Sequence, residues 1–285
     1  MCRSSDRARL GLTALVGALV ALPSAALAQS AAATGKSPLT LARLSVVEHR
    51  VELGKTDARW QQAVEGGPLA LGEALRTGPE AVARLDLPWM ALTLSPGSTL
   101  RFPDSVLLQA TLEAGRVLVE APKLDALKLV TDEAEVRGQG RAVVRRQAKS
   151  TLVTCLAGRF LVEAAGAVVT LTAGQGTVVA AGGSPSAPQG VLPPPAEGLW
   201  PALDPVFVAP GEPLELRWKG SAPGYQLEVL PVGSDVVLLQ RDVAAPPVKI
   251  EVPWQGAFRW RVSARDARGL EGLPSADGLI AVDSR

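Results

Sequence analysis

The sequence predicts an all-β chain of two modules, a larger β-sandwich or β-roll followed by a small Greek-key sandwich. Three observations carry this. Short runs rich in β-formers recur, with Gly or Pro punctuating them at roughly 8–12-residue intervals. Many of these runs alternate apolar and polar side chains, the period of a strand with one face in a core. One Pro/Gly-rich stretch splits the pattern in two, and 285 residues suit about two domains.

In chain order, Arg3, Arg7 and Arg9 precede an apolar run from Leu10 to Leu22, Pro23 ends it, and Ala26-Leu27-Ala28 supplies small residues. This is the layout of a secretory signal peptide over residues 1–28, cleaved between Ala28 and Gln29. The run is shorter than the roughly 20 residues a membrane span needs. Cleavage removes Cys2, three Arg and one Asp, so the net charge goes from +1 to −1 and Cys155 is left as the single thiol. No internal disulfide can then form. Residues 29–41 read as a flexible leader.

Residues 42–181 form the first module. Val82, Arg84 and Asp86 alternate with Ala83, Leu85 and Leu87. Further runs are Trp89–Leu94, Thr99–Phe102 after the turn Ser95-Pro96-Gly97-Ser98, Val117–Val119, Leu127–Val130, Val143–Val144, Leu152–Leu156, Phe160–Val162 and Val168–Leu171. Trp60–Val64 and Leu71–Leu75 are each compatible with a single helical turn. Residues 182–203 are the break; residues 182–201 alone hold six Pro and four Gly. Proline lacks a backbone donor, so this stretch reads as an extended, semi-rigid linker outside any ladder. In residues 204–285, Leu214–Trp218, Tyr225–Leu230, Val236–Leu239, Val248–Val252 and Phe258–Val262 read as strands. Trp218, Tyr225 and Trp260 are the expected core aromatics.

The first module resembles the FecR-domain family. Gly67-Pro68-Leu69-Ala70-Leu71-Gly72-Glu73-Ala74-Leu75-Arg76-Thr77-Gly78 follows that family's G-x-L-x-x-G-D-x-L-x-T-G opening, with Glu73 in place of the usual Asp. Leu112-Glu113-Ala114-Gly115-Arg116-Val117 resembles its L-x-x-G-x-V strand. Val168–Gly176 resembles its closing V-x-L-x-A-G-Q-G. The stretch Gly256–Gly272 resembles the fibronectin type III-like repeat that follows many secreted FecR domains. Leu87-Pro88-Trp89 replaces the family's Asp-Gly turn, and Arg137-Gly138-Gln139 keeps only the start of its Arg-Gly-Thr. The resemblance implies a cell-envelope protein, periplasmic or secreted. Family sensors carry a cytoplasmic anti-sigma segment, for which about nine residues ahead of the apolar run leave no room; the regulatory role is therefore not carried over.

Chemistry is scarce. There is one His, and Asn is absent. A zinc site needs about four ligands, and a Ser-His-Asp triad would have to use His49, with no G-x-S-x-G elbow to place a serine. His49 reads as a strand-surface residue. Asp132, Glu133 and Glu135 read as a solvated turn, Gly138-Gln139-Gly140 and Gly174-Gln175-Gly176 as turns, and Cys155 as a buried strand residue. Two carboxylates suffice for a hydrolase, so composition leaves an unrecognised carboxylate hydrolase open. No cofactor, metal or catalytic residue is expected.

Without a basic block, nucleic acid is not an expected partner. Nor is a transmembrane segment expected after signal cleavage. The candidate binding surface is Arg137, Arg141 and Arg145, which share one strand face, with Trp89 and Trp200, which stand beside Pro. A solvated face and tucked linker tryptophans are the plainer reading of these residues. The expected function is a non-enzymatic envelope module contacting another envelope protein or peptidoglycan or other polysaccharide. A periplasmic sensor working with an outer-membrane receptor is the alternative.

Overall fold

The computed structural model describes residues 40–283, except 56–58, 105–107, 124–127 and 196. The signal peptide, its cleavage site and the leader up to residue 39 lie outside the described residues.

The described residues contain no helix, as the strand periodicity requires. The first lobe begins with β1 (Thr40–Glu48), β2 (Val51–Gly54), β3 (Gln61–Gln62), β4 (Pro68–Ala70) and β5 (Ala74–Thr77). It continues with β6 (Val82–Leu87), β7 (Met90–Leu94), β8 (Thr99–Arg101), β9 (Gln109–Ala121) and β10 (Lys128–Val130). Then come β11 (Glu135–Gln147), β12 (Ser150–Ala164), β13 (Ala167–Thr172), β14 (Gln175–Ala180) and β15 (Gln189–Gly190). The second lobe holds β16 (Val206–Val208), β17 (Pro213–Leu216), β18 (Gly224–Pro231) and β19 (Leu239–Val243). It ends with β20 (Val248–Glu251), β21 (Gly256–Arg265), β22 (Glu271–Pro274) and β23 (Gly278–Val282).

Strands β1–β15 join one branched, continuous sheet over a single apolar core that includes Leu44, Leu85, Leu92, Phe102, Val144 and Phe160. Its longest ladder is the antiparallel pair β11–β12, running from Glu135 opposite Glu163 to Gln147 opposite Ser150. A bulge after Arg141 places Leu156 out of register. Residues 138–140 are strand, not the turn expected from their glycines. A Cβ on Gly140 (φ +115°) would lie 2.1 Å from the Ala157 carbonyl oxygen, so glycine is required by the close approach of β12. The predicted helical turns are absent too. Gln61–Gln62 pairs with β2, and Leu75 belongs to β5, because strand neighbours override a short local pattern.

In the second lobe, β16-β23-β21-β18-β19 form one sheet, with β22 on β21, and β17–β20 form another. Between them lies the predicted aromatic core. Trp218 meets Tyr225 edge-on at 5.2 Å and Trp260 at 6.1 Å, and the Trp260 indole N–H donates to the Pro201 carbonyl. Residues 236–238 are not strand; β19 starts at Leu239.

The Pro-rich stretch is not an independent spacer. Gln189 and Gly190 pair with β14, and the Leu192 carbonyl accepts from Leu273 N–H while its side chain packs on the second core. The residues between Pro188 and Pro193 keep their backbone donors, which is what a ladder needs. Residues 38–285 accordingly form one compact unit.

Candidate functional site

The two lobes meet along polar faces of strands. Alternation puts Tyr225, Leu227 and Val229 of β18 into the second core and turns Gln226 and Glu228 the other way. That second face is buried as well, against the first lobe. On β21, Arg261 follows the same rule opposite Trp260 and Val262.

From the first lobe comes Arg116 of β9. Its neighbour Gly115 (φ +87°) is fixed as glycine because a Cβ there would lie 2.5 Å from the Ser98 Cα. Ser98 Oγ accepts from Arg116 N–H, and Arg116 Nη1 donates to Ser95 Oγ, so the turn before β8 aims the guanidinium. Arg116 binds Glu271 through two parallel hydrogen bonds, Nε to Oε2 at 2.8 Å and Nη2 to Oε1 at 2.7 Å. Nη2 also lies 3.4 Å from Glu228 Oε1. Arg261 closes on the other Glu228 oxygen with contacts of 2.8 and 2.7 Å, and Gln240 donates to Oε1. The Arg116 and Glu271 side chains are 3% and 4% exposed, too deep for solvent screening.

Burial alone would lower the proton affinity of the Arg116 guanidinium. Glu271 and then Glu228 outweigh it, and the group is held more firmly charged than in water. Burial likewise pushes Glu228 up, and Arg261 with Arg116 overrides this, leaving its carboxyl below the usual range. Beside this cluster, Arg145 binds Asp242 at 3.1 Å and the Gln226 side-chain oxygen at 2.9 Å, and Arg265 binds the same Asp242 at 2.7 Å.

The expected binding surface is therefore divided. Arg137, Arg141 and Arg145 do share one face of β11, as parity requires. Arg137 lies 3.6 Å from Glu163 and Arg141 lies 3.6 Å from Glu120. Arg145 is instead taken into the lobe interface, because the second lobe covers that end of the strand. Trp89 sits in the β6–β7 turn, partly buried against the first core. Trp200 belongs to the second lobe, where it bridges to Arg217, whose guanidinium lies 5.4 Å from its ring.

Other expectations are also revised or placed. His49 is in the tight β1–β2 turn (φ 60°), not on a strand. Glu133 is not solvated; its side chain is 3% exposed and is held by Arg146 and Thr151. Cys155 is buried in β12, and desolvation pushes its thiol up to about 11. Among the described residues no three His, Cys, Asp or Glu stand where they could hold a metal. No helix among them is long and apolar enough to cross a membrane.

A cleft of about 840 Å³ opens beside the ion cluster, between the lobes. Its first-lobe wall is the turn Ser95–Gly97 with Gly115, Glu80 and His49; its second-lobe wall comes from β19, β20 and Trp254. Glu80 and Arg241 face each other across it at 3.8 Å. The cations Arg116 and Arg145, which line it, are already committed to carboxylates.

The arrangement defines a class: an all-β, two-lobed chain with an interlobe cleft. No family model and no curated protein matches it. Among solved structures it is similar to two crystal structures of a "putative anti-sigma factor" from Parabacteroides distasonis. Each match has 16% identity, a TM-score of 0.36 and 41% coverage of this chain. The matches span 59% of those chains, less than two thirds of their length.

Proposed function

We propose that this is an exported, non-enzymatic protein of the bacterial cell envelope, periplasmic or secreted. In this reading its FecR-like and fibronectin-like lobes act together as one binding body. The partner is a cell-wall polymer or another envelope protein. The observation that carries the reading is the interlobe cleft, whose walls are fixed by the buried Arg116–Glu271 pair. A preformed concave site of several hundred Å³ is the usual form of a ligand site. The signal-peptide pattern and the three FecR-like motifs support the choice of compartment.

The test is retention of the purified chain beginning at Gln29, at low salt, on isolated peptidoglycan and on immobilised envelope proteins. Binding to one of them, weakened by Trp254→Ala and Lys249→Glu in the cleft, is the expected result. Retention on neither overturns the reading. The same three motifs also support a sensor reading, which requires membrane tethering; a soluble mature chain starting at Gln29 counts against it.

A further inference from the structure

The geometry points to an extended polypeptide segment as the cleft's ligand, bound by strand addition along β19. This rests on the binding-module reading and specifies its partner. Leu239, Gln240, Arg241 and Asp242 all line the cleft, and so do Lys249, Ile250 and Glu251. Consecutive strand residues point to opposite faces, so a wall made of every residue in a run is a strand edge and not a sheet face. Among the described residues β19 pairs only with β18, and β20 only with β17, so each has one edge outside a ladder. The Arg241 guanidinium donates to the Lys249 carbonyl at 3.2 Å, so that acceptor on β20 is already taken and β19 is the edge left for a ligand.

An open edge presents unpaired backbone donors and acceptors, and a polypeptide backbone supplies the matching row. The five residues of β19 span about 17 Å, so about five ligand residues would pair. Space for the ligand's side chains is available opposite. A Cβ on Gly97, in the first-lobe wall of the cleft, would meet nothing within 4 Å. Leu239, Pro213, Pro253 and Trp254 form the apolar part of the wall. A glycan chain would use stacked aromatics, and Trp254 is the one Trp, Tyr or Phe among the residues lining the cleft.

The test uses the chain from Gln29 as bait for a phage-displayed library of random heptapeptides. Enriched sequences are synthesised, and amide hydrogen exchange of the bait is measured with and without each peptide. Slowed exchange confined to 239–243 is expected. N-methylation of alternate peptide amides should weaken binding roughly tenfold or more, the loss of one or two backbone hydrogen bonds. Three results overturn the inference: no enrichment, protection elsewhere on the surface, or binding indifferent to N-methylation. If the chain nevertheless binds peptidoglycan or an envelope protein, the binding-module reading stands and only the peptide assignment fails.

Discussion

Replacing Arg116 by Ala tests the interlobe ion cluster most directly. The substitution removes both hydrogen bonds to Glu271 and the contact to Glu228. Glu228 keeps Arg261 and Gln240. Glu271, at 4% side-chain exposure, keeps only the Arg145 guanidinium, 4.0 Å away. The cost is therefore concentrated on one stranded carboxylate. Breaking a buried pair in this way typically costs about 3–5 kcal/mol, and the residual Arg145 contact places the expectation near the lower figure. With a urea dependence of about 3 kcal/mol per M, the unfolding midpoint should fall by about 1 M. Tryptophan fluorescence in urea reads this directly. The exposed pair Arg50–Glu52 is the control, and Arg50→Ala should leave the midpoint almost unmoved. In Arg116→Ala/Glu271→Ala the stranded charge is gone, so the double variant should lose less than the two singles added together. A midpoint shift below about 0.2 M, or strict additivity, would refute the claim that this cluster fastens the lobes.

Stability should also depend on acid in a stated direction. Burial raises the Asp242 carboxyl, but Arg145 and Arg265 together bring it below its ordinary value, and Glu228 is lowered by Arg261 and Arg116. A carboxylate depressed in the folded state stabilises above its unfolded pKa, near 4, and loses that contribution as pH falls through the folded value. Urea midpoints should be flat from neutral pH to about 5 and drop below about 4, less steeply in Asp242→Asn. Gly140→Ala would force a Cβ against the Ala157 carbonyl and should destabilise by about 1–3 kcal/mol, measured in the same urea titration.

The cores were legible because burial imposes a period. Val82–Leu87 alternates as written, and Trp218, Tyr225 and Trp260 gather as large aromatics must in a small sandwich. The interface was not legible for the same reason. In Tyr225–Val229 the polar half of the alternation, with Arg261 beside it on β21, looks like a solvent face, whereas it meets the other lobe. Period two separates two faces without saying what lies against either. The available signal was the type of polar residue. Gln226, Glu228 and Arg261 put an amide and charges of both signs on the face turned from the second core, and Arg116 sits between Gly115 and Val117 of β9. Arg145 was placed on the correct face of β11, but its partners are about a hundred residues away in sequence and only the tertiary fold brings them within reach.

The Arg116–Glu271 contact bears on how freely such modules can be exchanged. An apolar interface accepts many partners of roughly suitable shape, whereas this one asks for carboxylates at fixed places on three strands and at one orientation. A different small β-sandwich grafted after residue 203 would leave two guanidinium groups dry and unanswered unless it carried counterparts of Glu228, Asp242 and Glu271. The two halves are therefore matched to each other, and a chimera that folds is expected to carry those three acids.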